Sequence, residues 1–158
     1  MSEAEHSSLT RLWIPIGAAL FIVALVGSAA VVPQLRLLHS LQALIYVAVI
    51  VLEWRDNRWG LGAGLAIAIV WNGLQIFVTR NFQRGIALSW SFLHTGQLRQ
   101  VDTMMVAVGT IGHFILIIAC AAAVVRHKSN NRKWWTFVAG AIACLAYFAL
   151  IVTVALPR

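Results

Sequence analysis

Long apolar runs, broken at intervals by short basic segments, leave this chain few ways to fold. A helix crossing a bilayer needs about 20 mostly apolar residues, each adding about 1.5 Å across a core of about 30 Å. Five runs meet that length or come close to it: 12–32, 37–54, 61–79, 103–125 and 134–156. Lipid offers no water to unpaired backbone groups, so such runs become helices unless they close a barrel. The strict alternation of barrel strands is missing. Hydrophobic residues make up 61% of the chain and charged residues 11%, against about a quarter charged in soluble domains. The expectation is an all-α, polytopic integral membrane bundle of about five transmembrane helices, a single domain over residues 1–158.

The boundaries carry turn chemistry. Ser7, Ser8 and Thr10 are expected just before the first helix, with Pro15 in its first turn, where a missing N–H costs nothing. Pro33 ends that helix because proline cannot continue the ladder. Arg55-Asp56-Asn57-Arg58 and Ser129-Asn130-Asn131 read as polar turns between antiparallel helices. Ser28-Ala29-Ala30 loosely resembles a signal-peptidase site. The run before it exceeds the typical h-region of about 7–15 residues, and Glu3 and Glu5 precede it, so a retained span is preferred.

Lys and Arg in short loops set orientation. Arg11, Arg55, Arg58, Arg126, Lys128, Arg132 and Lys133 fall on one side of a five-span protein. Arg36, Arg80, Arg84, Arg99 and Arg158 fall on the other. Trp13, Trp54, Trp59, Trp134 and Trp135 join the richer side as an aromatic belt. The expected location is the cell membrane, multi-pass, N-terminus cytoplasmic and C-terminus outside. The net charge of +7 is divided among many short loops on both faces. No continuous stripe can track phosphates, so nucleic acid is not an expected partner. The cluster at residues 126–133 suits anionic headgroups, at about 1 kcal/mol per basic residue. Cys120 and Cys144 differ in depth by about 7 Å, too far for a disulfide once the lateral gap is added. Gly60-x-Gly62-x-Gly64 lacks the strand that a dinucleotide loop requires and reads as a close-packing helix face.

Polar side chains inside spans are expensive and face the bundle interior. Taking residues 79 and 103 as the outer boundary, Gln75 lies about 6 Å deep, Asn72 and Thr110 about 10 Å, and His113 about 15 Å. Asn72 and Gln75 are i, i+3 neighbours, as are Thr110 and His113, so each pair shows one face. Gln42 on the second span joins them. The candidate intramembrane patch is therefore Gln42, Asn72, Gln75, Thr110 and His113, with His39 and Asp102 at its edge. Its plain interpretation is packing adhesive between helices, worth about 0.6 kcal/mol per contact; the sharper one is a ligand, ion or proton site.

The connection between the third and fourth spans is long enough to hold structure. Phe82, Ile86, Trp90 and Leu93 recur at spacings of four and three, one apolar stripe if helical. A short interfacial helix over about 82–94 is expected before the fourth span, either lying in the headgroup plane or closing over the patch.

No nucleophile–base pair, paired carboxylates or metal cluster is legible. The leading expectation is therefore a non-catalytic accessory, anchoring or partner-binding subunit, alone or as a homo-oligomer in the lipid bilayer. The small-residue face of Gly140, Ala143, Cys144 and Tyr147 suits helix association. One alternative is transport or binding of a small solute, ion or proton at the patch. Another is a haem- or quinone-associated redox subunit. No cofactor or metal is called for by a motif, and haem would rest on His39 or His113, which lie about 12 Å or more apart along the membrane normal.

Overall fold

Each apolar run folds as one helix, and the polar or proline-bearing stretches between them form the turns. The computed structural model describes the backbone of residues 3–55, 57–126 and 134–155, and side chains over 12–55, 57–125 and 134–155. The described residues form α1 (Glu3–Val31), α2 (Arg36–Trp54), α3 (Arg58–Gly73), α4 (Asn81–Thr95), α5 (Val101–Arg126) and α6 (Trp134–Ala155), with no strand among them. Five segments are long and apolar enough to cross a membrane: Leu12–Val31, Pro33–Trp54, Arg58–Val78, Val101–Val125 and Trp134–Ala155. The all-α bundle expected from the sequence is thus the fold.

The turns follow local chemistry. Pro33–Leu35 is a single 3-10 turn between α1 and α2, fastened by Arg36 Nε donating to the Ala29 carbonyl at 3.2 Å. Asn57 caps α3, its Oδ1 accepting the Trp59 N–H at 3.0 Å. At the far end of α3 the ladder widens into a π turn, Leu74–Val78. Arg80 then takes a left-handed conformation (φ 56°) to start α4, and Gly96 (φ 66°) ends it. The start of α1 differs from expectation. The helix begins at Glu3, so Ser7, Ser8 and Thr10 lie within it and Pro15 is in its interior. The N-terminal segment contains no helix breaker, and the acidic Glu3 and Glu5 suit the positive end of the helix dipole. Asp56, the Ser129-Asn130-Asn131 turn and most of the basic cluster lie outside the described residues.

Helix α5 is the centre of the bundle, packing along α1 and against α3 and α4. Thr110, His113, Leu116, Cys120 and Ala123 form its buried stripe, at spacings of three and four. On its α1 side the backbones touch. A Cβ on Gly17 would stand 2.7 Å from the Gly112 carbonyl oxygen, and one on Gly112 would stand 2.8 Å from that of Gly17. Helix α6 docks mainly on α3 by the same device: Gly62 meets the Phe137 backbone and Gly140 meets the Trp59 backbone. Gly140 and Cys144 are therefore occupied within the chain, while Ala143 stays exposed. Helix α4 rests on α5 through Gly85 against the Thr103 backbone, leaving Ile86, Trp90 and Leu93 of its apolar stripe exposed. Cys120 and Cys144 are free, buried thiols.

Candidate intramembrane polar site

Helical spacing places the polar residues of three helices on their inward faces. On α2, His39, Gln42 and Tyr46 follow one another at spacings of three and four, and all are buried. Asn72 near the end of α3 and Gln75 in the π turn that follows are both buried, and on α5 Thr110 and His113 are both fully buried. Two of these pairs of neighbours then diverge.

His113 is the hub. Its Nδ1 lies 3.1 Å from Asn72 Oδ1 and its Nε2 lies 2.7 Å from the Tyr46 hydroxyl. An amide oxygen only accepts, so Nδ1 carries the proton and donates to Asn72. Nε2 of the neutral ring is then left to accept the Tyr46 O–H. One imidazole thereby joins α2, α3 and α5. Phe21 of α1 stacks on the ring, with centroids 3.9 Å apart and planes inclined by 15°. Trp71 meets Phe21 edge-on at 5.7 Å, and Phe148 of α6 meets Trp71 edge-on at 6.2 Å. Aromatic pairs of this kind contribute about 0.5–1.5 kcal/mol each beyond their burial.

The other patch residues stand apart from this hub. The Thr110 hydroxyl donates to the Val106 carbonyl of its own helix at 2.8 Å. Gln75 lies in the π turn and accepts from the Thr79 hydroxyl at 3.0 Å. Gln42 keeps its Oε1 unpaired, as Asn72 keeps its Nδ2 and His39 its Nδ1. His39 and Asp102 border a second feature, a small cavity shared with Ser28, Phe21 and Trp71. No α4 residue lines that cavity.

Tyr46 is the functional group that the sequence pattern does not disclose. Its ring sits in an apolar run, and hydropathy counts it as one more hydrophobic residue. Depth is the available signal: nine residues in from Leu37 is about 13.5 Å, close to the level of His113. Along α2, His39 is seven residues, about 10 Å, from Tyr46, so the two candidate histidines occupy different levels. Iron ligation by His113 would require the Tyr46 or the Asn72 bond to break. Among the described residues, no three of His, Cys, Asp and Glu gather in one place. Comparison with protein-family models, curated proteins and solved structures finds no match to this chain.

Proposed function

We propose that this protein is a non-catalytic subunit of the cell membrane that works by holding a partner in the bilayer. The observation carrying this reading is that both nitrogens of His113 are engaged by the protein itself, so the deepest polar group acts as an internal fastener. The lipid-facing surface offers places for another transmembrane helix. An apolar groove of about 330 Å³ runs between α1 and α5, lined by Trp13, Ile115, Ile118, Ala119 and Ala122. Helix α6 has 17% of its span buried, against 33–44% for the others, leaving most of its length available.

The N-terminus lies on the cytoplasmic side and the C-terminus outside. Support comes from the Lys and Arg bias and from Trp13, Trp54, Trp59, Trp134 and Trp135, each at least 40% exposed at the proposed inner end. Helix α4 lies in the outer headgroup plane, with Ile86, Trp90 and Leu93 toward lipid.

Affinity purification of the intact chain in mild detergent tests the reading. A second membrane protein, or a second copy, should be recovered in constant ratio. Ala122→Trp, which fills the groove, should release it without lowering the unfolding midpoint. Recovery of a monomer alone from native membranes would count against a partner-binding role.

A further inference from the structure

The cavity beside His39 has a composition that the fastening role does not use. Its volume is about 30 Å³, room enough for a water-sized molecule. Three helices bring polar groups to its wall: Ser28 from α1, His39 from α2 and Asp102 from α5. His39 is only 7% exposed and its Nδ1 has no partner. Asp102 makes no hydrogen bond or ion pair among the described residues.

The carboxylate of Asp102, a ring nitrogen of His39 and the hydroxyl of Ser28 can each accept a hydrogen bond, the indole N–H of Trp71 only donates, and no group on this wall is a fixed cation. Arg36, one turn before His39, is exposed and directed to the Ala29 carbonyl. Helix α3 contributes only Trp71, and α4 and α6 contribute nothing to the wall. A carboxylate, a nitrogen and a hydroxyl gathered on one wall attract a small positive donor, because each can accept a hydrogen bond from it and the carboxylate balances its charge. We propose that this cavity binds a small hydrogen-bond-donating cation, ammonium or hydronium in size and kind. Asp102 supplies the counter-charge, His39 and Ser28 accept, and Phe21 and Trp71 form the aromatic wall.

The test uses the full chain in detergent and follows thermal unfolding by circular dichroism. Ammonium chloride at fixed pH and ionic strength should raise the midpoint saturably above its value in potassium chloride. Potassium matches ammonium in charge and approximate size but has no hydrogens to donate. Asp102→Asn, at a partly exposed position that tolerates the change, should raise the half-saturating ammonium concentration by about tenfold or more, because it removes one charge-assisted hydrogen bond. If the proton itself is the ligand, the ammonium and potassium curves coincide, while a pH-dependent midpoint shift is present in the wild type and absent from both Asp102→Asn and His39→Gln. Coincident salt curves with no such pH-dependent difference would overturn the proposal, as would an ammonium response unchanged in Asp102→Asn.

Discussion

In hydrocarbon, the Tyr46 hydroxyl, the His113 imidazole and the Asn72 amide stabilise the fold only as a set. Each would be costly to bury alone, because an unpaired polar group away from water loses its hydration without compensation. Paired at 2.7 and 3.1 Å, they fix the register of three helices; a slip of α5 by one turn, about 5 Å, breaks both bonds. A double-mutant cycle of Tyr46→Phe and His113→Leu, read by unfolding in mixed micelles, should give a coupling energy of about 0.6–1.7 kcal/mol. His113→Leu alone should cost more than Tyr46→Phe, since it strands two partners at about 1–3 kcal/mol each. Additive single effects would mean that the bond contributes nothing. Asn72 and His113 are legible in the sequence because each interrupts an apolar run, at depths within about 5 Å of one another. Thr110 and Gln75 also interrupt apolar runs, but the Thr110 hydroxyl bonds the backbone of its own helix and Gln75 accepts from the Thr79 hydroxyl four residues on. Side-chain rotamers decide that choice, and spacing along a helix carries no information about them.

At the scale of the helix, glycines decide which pairs can meet. Gly140 touches the Trp59 backbone, whereas a Cβ on Gly73 would meet nothing within 4 Å. The same substitution should therefore act in opposite directions at the two positions. Gly140→Ala should destabilise by about 1–3 kcal/mol through overpacking against a backbone that cannot yield. Gly73→Ala should be neutral or stabilise by up to about 1 kcal/mol through helix propensity. Unfolding midpoints of the two variants, measured side by side, check the pair; equal destabilisation would show that the α3–α6 interface is not tight. The existence of each helix is readable from its apolar length. Their starts are less so, because nothing in residues 3–11 opposes a helix that begins before the bilayer. The use of Gly140 and Cys144 inside the chain is also hidden. A small-residue face looks the same in sequence whether its partner is internal or a second protein.

For the whole molecule, five candidate spans carry the proposal that the two ends of the chain lie on opposite sides of the membrane. Reporter fusions after residue 128 should score as cytoplasmic and fusions at the C-terminus as external. The reverse pattern would invert the proposed orientation. The arrangement of the last helix also bears on how the protein is made. Phe21, Tyr46, Trp71, Asn72 and His113 have all been synthesised before α6 leaves the ribosome, and α6 rests chiefly on α3. The deep polar groups can thus find one another inside the insertion machinery before translation ends, and the last helix joins a nearly finished bundle. A chain stopped after residue 126 should insert and keep the Tyr46–His113 coupling, with a lower unfolding midpoint. A separately expressed segment carrying residues 134–158 should bind it and restore the difference. Loss of the coupling in the truncated chain would mean instead that the bundle closes only when its final helix arrives.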